Sequence, residues 1–211
     1  MIVVKQTTQR ITGAQIKSAA QQHRLDKLLS SGDRIPIVLK NGEVVTLIIG
    51  YDKNRAYFCF EDCLKRTQPM SAANTNTGGW KDTDIRHWLN TELFSKLPDE
   101  LQEIIVPTKI VQVLDDGERV ETEDKVFLLS RTQMFGIGLW SDVEPEDTQI
   151  DIFTVQKNRV KRCGDKGAWW YGLRSPQRGS DKKFASVNSS GAADRGSADR
   201  NRGISPCFCV S

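Results

Sequence analysis

The 211-residue sequence contains only two histidines, His23 and His87, and neither lies near a nucleophile motif. It also lacks an HExxH pair, a phosphate-binding Walker loop, a GxSxG nucleophile and a dinucleotide-binding glycine fingerprint. These absences exclude the enzyme classes that the motifs define. We therefore expect a protein that is not an enzyme and that holds neither a metal nor a cofactor.

Long apolar runs and a strong net charge are missing as well. No apolar stretch approaches bilayer length, and the N-terminus, MIVVKQTTQRITG, lacks the apolar core and small-residue cleavage site of a signal peptide. The net charge of +3 is too small to require nucleic acid or an acidic membrane as a partner. We expect no membrane insertion, and a location either in the cytoplasm or within an assembled phage particle.

The five cysteines include no CxxC motif and no paired spacing, which predicts reduced thiols and not a disulfide framework. Cys59 and Cys63 lie among apolar residues and are predicted to fill the core. Cys207 and Cys209 are two residues apart in a predicted strand, so both thiols lie on one face. Such a pair can bind a soft metal or undergo redox chemistry, but packing beside Phe208 and Val210 is the favoured interpretation.

A further absence is confined to the end of the chain. Lys, Glu, Gln, Trp and Met fill 45 of the 211 positions but none of the 28 from Phe184 onward. Independent draws would leave such a gap in roughly one window in a thousand. Within it, Ala192–Arg202 (AADRGSADRNR) has no apolar residue larger than Ala, so it predicts a surface loop or a recognition patch. A run of ordinary turn residues is the alternative interpretation.

Local patterns predict short helices and short strands. Helical spacing and capping signals cover Ile11–Leu29, Trp80–Asn90, Pro98–Ile105 and a turn beginning with Ser130 and Gln133. Strand patterns cover Ile35–Leu39 and Val44–Tyr51 around Asn41-Gly42, then Ile110–Leu114, Lys125–Leu129, Trp169–Leu173, Phe184–Val187 and Ile204–Val210. Asp115–Asp124 is predicted as a turn region and Trp140–Lys166 as a polar connection. Together they predict an α+β domain over residues 32–211, dominated by antiparallel sheet, after an N-terminal helical extension over residues 1–31.

Two acidic runs, Asp115-Asp116 and Glu144–Asp147, contain oxygen ligands suited to calcium. Both lack the ligand spacing and the turn glycine of an EF-hand loop. They are therefore predicted to be solvated turns.

Five motifs follow one another along the domain, from residue 78 to its end. They are GGWKDTDIRHWLN (Gly78–Asn90), LPDELQEII (Leu97–Ile105), TEDKVFLLS (Thr122–Ser130), WWYGLRSP (Trp169–Pro176) and GISPCFCV (Gly203–Val210). In this order they resemble a C-type-lectin-fold family of gut bacteria and their phages, which includes variable proteins diversified by diversity-generating retroelements. The resemblance runs from about Asp33 to the C-terminus and departs from the family pattern at Tyr171-Gly172. It implies a C-type lectin fold with two amphipathic helices and a hypervariable region near residues 169–211.

Such retroelements substitute bases at adenines of a template, and the resemblance implies that this process produced the restricted C-terminal vocabulary. Changing the first two bases of an AAC or AAT codon reaches Ala, Asp, Arg, Gly and Ser, but never Lys, Glu, Gln, Trp, Met or a stop. Every residue of Ala192–Arg202 belongs to the reachable set.

The resemblance divides the C-terminal region into fixed and variable positions. The expected scaffold residues are Phe184, Val187, Gly191, Ala193, Ala198, Gly203, Pro206 and Phe208. The expected variable or ligand-binding residues are Ser186, Asn188, Ala192, Asp194, Arg195, Gly196, Ser197, Asp199, Arg200 and Arg202, with Tyr171 or Trp170 as an aromatic contact. The arginines offer forked donors to carboxylate or phosphate groups. Calcium-dependent sugar binding does not follow from the fold name.

The expected function is non-catalytic recognition of a protein or glycan target on a cell or phage surface. The N-terminal helix either mediates homo-oligomer formation or attachment to a partner, or packs on its own domain. Two alternative functions remain. One is a nucleic-acid-binding module that uses the arginine cluster, and the other is a cysteine-dependent enzyme related to formylglycine-generating enzymes.

Overall fold

The structure, a computed structural model, describes residues 11–53, 55–136 and 144–210. Residues 1–10 of the expected extension and residues 140–143 of the expected polar connection lie outside these ranges. The described chain is an α+β protein with short helices and mainly antiparallel sheets, as its sequence predicts. Across the same ranges, no helix is long and apolar enough to cross a bilayer.

The regular elements follow in chain order. The helices are α1 (Gly13–Gln21), α2 (Leu25–Leu28), α3 (Asp84–Trp88), α4 (Phe94–Lys96), α5 (Asp99–Gln102) and α6 (Arg131–Phe135). The strands are β1 (Arg34–Val38), β2 (Val44–Tyr51), β3 (Ala56–Phe60), β4 (Thr67–Gln68), β5 (Ile105–Val106), β6 (Thr108–Val113), β7 (Arg119–Asp124), β8 (Phe127–Leu128), β9 (Tyr171–Pro176), β10 (Lys183–Val187), β11 (Ala193–Ser197), β12 (Arg202–Gly203) and β13 (Pro206–Val210). A π-helical turn, Leu89–Leu93, joins α3 to α4, and 3₁₀ turns lie at Gly79–Asp82, Asp151–Thr154, Gln156–Arg159 and Gly164–Lys166.

The expected N-terminal helix is present as two pieces. Thr12 begins α1 with a capping box in which the Gln15 side chain also takes part. His23 has a φ of 52°, which ends the first piece before α2 begins. Ile16 and Leu29 are buried in the main core, 3% and 1% exposed. The apolar side of the extension therefore packs on its own domain.

The first sheet has the order β1-β2-β3-β13-β5, with β8 also paired to β13. Its β1–β2 hairpin was predicted from Asn41-Gly42, and Gly42 has the expected positive φ of 84°. Leu39 and Glu43 close the loop through a backbone hydrogen bond of 2.8 Å, so three residues form the turn. The C-terminal strand β13 lies at the centre of this sheet, where the Phe208 ring stacks on Phe58 at 5.6 Å.

The second sheet has the order β11-β10-β9-β12-β4. Its edge strand β11 lies within the segment that was predicted to be a loop, and this part of the prediction is wrong. The strand forms because β10 pairs with it antiparallel over five residue pairs, from Lys183 opposite Ser197 to Val187 opposite Ala193. Strand pairing thus overrides the low intrinsic strand propensity of Ala, Asp and Gly.

The predicted turn region Asp115–Asp124 is longer than the turn in the structure. Residues 119–124 form β7, which pairs with β6, and only the residues around Gly117 turn. Buried and exposed residues alternate strictly along β7, as one half-buried strand requires. Its last residue, Asp124, is therefore buried.

The GGWKDTDIRHWLN motif serves the framework. Asp124 accepts hydrogen bonds from Trp80 Nε1 at 2.9 Å, Arg86 Nε at 2.7 Å and Thr122 Oγ1 at 2.8 Å. Asn90 Nδ2 donates to the same carboxylate at 3.2 Å. A buried carboxylate is stable only when it is paired and hydrogen-bonded. The motif therefore supplies the partners that hold the end of β7 against α3.

A second buried network joins the LRSP motif to Glu144, which had been expected to be solvated. That expectation is wrong, since Glu144 is 2% exposed. Gln112 Nε2 donates to its carboxylate at 2.7 Å, and Ser175 Oγ lies 2.8 Å from both oxygens. Burial raises the pKa of Glu144 to about 7, against the lowering effect of Arg174.

Candidate functional site

The residues expected to vary lie mostly on one surface, formed by the β10–β11 turn, β11 and the β11–β12 loop. Arg195, Asp199 and Arg200 are exposed. The partly exposed members of this surface are Asn188, Ala192, Asp194, Gly196 and Ser197. We call residues 188–202 the C-terminal surface.

Three of the expected contact residues are buried. Tyr171 is 1% exposed, and its hydroxyl donates to the carbonyl oxygen of Arg159 at 2.8 Å. Ser186, on β10 of the second sheet, is 2% exposed, and Arg202 is 8% exposed. The expectation that Tyr171 and Ser186 face a ligand is therefore corrected, whereas Arg202 still reaches a surface cavity.

That cavity has a volume of about 350 Å³ and opens beside β11. It is lined by Trp169, Trp170, Asp194, Arg195, Arg200, Asn201 and Arg202. An aromatic contact was expected from Tyr171 or Trp170, and it is Trp170 that lines the cavity. Asn201, which was not among the expected contacts, carries the same small polar character as its neighbours in sequence.

The aromatic wall is fixed in place by the framework. Trp170 Nε1 donates to Asp194 Oδ2 at 3.1 Å, and the Trp170 carbonyl accepts from the Gly203 amide at 2.9 Å. The Trp169 ring packs edge-on against Trp170, with 5.3 Å between the centroids. Lys166 Nζ lies 4.8 Å from the Trp169 ring, a cation–π contact on the outer side. Both rings are thus held before any ligand arrives.

Arg202 and Gly196 depend on each other. The guanidinium of Arg202 lies across Gly196, so a Cβ atom at position 196 would overlap Nη2 and lie 2.8 Å from Cζ. Arg202 Nη2 also donates a long hydrogen bond, 3.4 Å, to the carbonyl oxygen of Arg195. Two positions that were expected to vary are therefore coupled by contact.

The cavity lining contains three arginines and one aspartate, so its net charge is positive. Burial and the neighbouring Arg200 lower the pKa of Arg202, and Asp194 partly opposes them. In the described part of the chain, neither Arg200 nor Arg202 forms an ion pair within 4.0 Å. Guanidinium groups in this state favour a carboxylate or another anionic group on a ligand.

The β10–β11 turn uses one of the expected variable side chains for its own structure. Asn188 Oδ1 accepts hydrogen bonds from the amides of Ser190 and Ala192 at 2.9 and 3.0 Å. Gly191 has a φ of 80°, and a Cβ there would meet the Gln156 carbonyl oxygen at 2.7 Å. The conformation of this turn therefore depends on Asn188 and on Gly191.

The residues expected to form the scaffold are buried with one exception, the partly exposed Ala193. Phe184, Val187, Ala198 and Phe208 are at most 2% exposed. Buried scaffold positions thus flank the more accessible stretch and recur within it at Gly191 and Ala198, as expected for a surface that changes without disturbing the core.

The cysteine constellation considered for catalysis lies inside the protein. Cys207 and Cys209 are 0% and 3% exposed on β13. Burial raises the pKa of Cys209 to about 12 and that of Cys207 well above its usual value. Both thiols stay protonated at neutral pH. Within residues 11–53, 55–136 and 144–210, no three His, Cys, Asp or Glu residues are grouped to hold a metal ion.

Comparisons with known proteins identify one family. No curated protein and no solved structure matches the sequence. A family model described as "Domain of unknown function (DUF6273)" matches residues 46–211, from within β2 to the C-terminus. The matched range includes both buried networks and the whole C-terminal surface, and the chain therefore belongs to the DUF6273 family.

Proposed function

We propose that the protein is a non-catalytic target-recognition protein with a C-type lectin fold, whose C-terminal surface is diversified by a retroelement. Its target is a protein or glycan on a cell or phage surface. The α+β architecture, the mainly antiparallel sheets and the order of the five motifs support the fold assignment.

One observation carries the functional proposal. The segment Ala192–Arg202, which contains only small, polar or charged residues, coincides with an edge strand and a loop in which only Ala198 and Arg202 are buried. Val187 before the segment and Ile204 after it are 0% and 1% exposed. Large apolar residues are therefore absent where the chain is accessible and return where it is buried, as diversification of a surface on a fixed core requires.

The rigid support of this surface favours binding. Trp170 is held by Asp194 and Gly203, and β11 is held by β10 along its full length. Side chains that are ordered in advance lose less entropy when a ligand binds. A cavity with an aromatic wall and arginines at its rim has the residue types that dominate binding energy at protein interfaces.

Sequencing the DNA around the gene tests the diversification. The proposal predicts a nearby reverse-transcriptase gene and an imperfect copy of the 3′ end of this gene, differing from it only at adenines of the copy. Differences should change codons for Asp194, Arg195, Asp199 or Arg200 and spare the Phe184 and Phe208 codons. An exact repeat, a repeat that differs at other bases, or no repeat at all contradicts diversification.

Nucleic-acid binding is the second candidate, because three arginines and two tryptophans line one cavity. It predicts binding to a random-sequence single-stranded oligonucleotide that weakens steeply between about 50 and 200 mM salt. The recognition proposal predicts no such binding. Arg200→Ser provides the matched variant, since it removes one exposed cation without touching the core.

A further inference from the structure

Cys63 and Cys163 are far apart in sequence but adjacent in the fold. They form an isolated parallel β-bridge, supported by a 2.9 Å hydrogen bond from the Cys63 amide to the Arg162 carbonyl. Residues paired in this way have Cα atoms about 5 Å apart. A disulfide needs roughly 4.4–6.8 Å, so the backbone already has the required spacing.

The two sulfur atoms also face the same place. A Cβ atom at Gly203 would lie 2.6 Å from Cys63 Sγ and 3.3 Å from Cys163 Sγ. Both sulfur atoms therefore lie within 3.3 Å of one point, and Cys163 Sγ donates to the Leu64 carbonyl oxygen at 3.8 Å. No side chain of residue 203 separates the sulfurs, because that residue is glycine.

The environment makes Cys163 the more reactive partner. The hydrogen bond from Cys63 lowers the pKa of Cys163 to about 7, Lys166 lowers it further, and burial and Asp62 oppose both. The same hydrogen bond and burial raise the pKa of Cys63, which Lys161 partly offsets. Cys163 is 2% exposed, but its neighbours Arg162 and Gly164 are exposed, so it lies directly beneath the surface.

We propose that Cys63 and Cys163 are an oxidation-sensitive dithiol that hydrogen peroxide converts into an intramolecular disulfide. The Cys163 thiolate attacks one peroxide oxygen, the O–O bond breaks, and the departing hydroxide takes up a proton to become water. Cys63 then attacks the resulting sulfenic sulfur. The S–S bond forms, the S–O bond breaks, and hydroxide leaves with the Cys63 proton as a second water. Two thiols are oxidised while one peroxide is reduced to two waters.

This inference is independent of the proposed recognition function. The new bond would link the segment after β3 to residues 161–168, which lead directly into Trp169 and Trp170. It would close a loop of about 100 residues, for which chain entropy predicts a Tm increase of about 10–20 °C.

A second pair of thiols provides an internal control. Cys59 and Cys207 are directly opposed on β3 and β13, and both are 0% exposed at the centre of the first sheet. Burial raises the pKa of Cys207 well above its usual value, so Cys207 supplies no thiolate. This pair is expected to remain reduced under conditions that oxidise Cys63 and Cys163.

The test treats the reduced full-length protein with hydrogen peroxide and then alkylates the unfolded chain. Intact mass should show loss of two hydrogens, and alkylation should label three of the five cysteines. Peptide mapping should find Cys63 joined to Cys163, with the Tm raised and the original Tm restored by dithiothreitol. Cys163→Ser and Cys63→Ser should abolish the cross-link, while Cys59→Ser should keep it.

Peptide mapping of the unmutated protein decides the question even if a serine variant fails to fold. Five alkylated cysteines after treatment, a Cys59–Cys207 cross-link, or Cys163 oxidised to sulfinic acid beside a free Cys63 would each overturn the proposal.

Discussion

Replacing Gly196 with alanine should reveal the contact between β11 and Arg202. Glycine in a strand costs about 0.5–1 kcal/mol relative to alanine, so alanine alone should be stabilising at this ordinary strand position. The new Cβ would, however, overlap the Arg202 guanidinium and force it to move. Overpacking of this kind costs about 1–3 kcal/mol, with the low end appropriate for the flexible end of an arginine. Gly196→Ala should therefore be neutral or destabilise the protein by up to about 1 kcal/mol.

The sign should reverse once Arg202 is removed. In an Arg202→Ala background nothing opposes the new methyl group, and Gly196→Ala should stabilise by about 0.5–1 kcal/mol. The direct cost of losing Arg202 cancels in the double-mutant cycle, which leaves a coupling of about 1 kcal/mol or more. Urea unfolding of the four proteins, with unchanged m values, measures this coupling. Effects that add within about 0.3 kcal/mol would refute the contact.

Three further predictions concern the framework. Phe208→Ala removes a fully buried, stacked ring and should lower the free energy of unfolding in urea by about 3–5 kcal/mol. Asp199→Ser on the C-terminal surface should change it by no more than about 0.5 kcal/mol. Equal changes for the two variants would contradict the division into core and surface. Asp124→Ala removes the carboxylate that accepts hydrogen bonds from Arg86 and Trp80, and should lower the free energy of unfolding by about 3 kcal/mol or more. Glu123→Ala, at the exposed neighbouring position, should leave it almost unchanged. Similar values for both variants would contradict a stabilising role for the Asp124 network. Burial raises the pKa of Glu144 from 4.5 to about 7, so its contribution to stability is fully present below pH 4.5 and is lost as the pH rises to 7, by up to about 3 kcal/mol. Urea unfolding at several pH values should show this loss in the unmutated protein and not in Glu144→Gln. Parallel pH profiles for the two proteins would contradict a raised pKa at Glu144.

Local signals predicted the local features well. Asn41-Gly42 predicted the β1–β2 hairpin because a positive φ favours glycine, and Gly42 has that conformation. The Ser130–Gln133 capping box is present with both hydrogen bonds at the start of α6. Such features need only a few neighbouring residues, so a sequence contains all the information that they require.

The errors arose where distant parts of the chain decide the outcome. β11 has no apolar alternation and forms only because β10 lies beside it. The burial of Glu144 depends on Gln112 and Ser175, each about 30 residues away. Tyr171 and Trp170 are adjacent aromatic residues, and only the register of β9 decides that the former is buried and the latter faces the cavity. Part of the alternation in β7 was visible in the sequence but was obscured by its acidic composition.

The most direct test of the recognition surface is a matched pair of display libraries. One library randomises Asp194, Arg195, Ser197, Asp199 and Arg200 with adenine-derived codons, and the other randomises five exposed residues of the β6–β7 hairpin, Asp115, Asp116, Glu118, Arg119 and Glu121, in the same way. Each is selected against one immobilised test protein. The account predicts folded, specific binders from the first library at a much higher frequency than from the second. Equal frequencies, or a first library whose members mostly fail to fold, would contradict the claim that a fixed framework presents these side chains for binding.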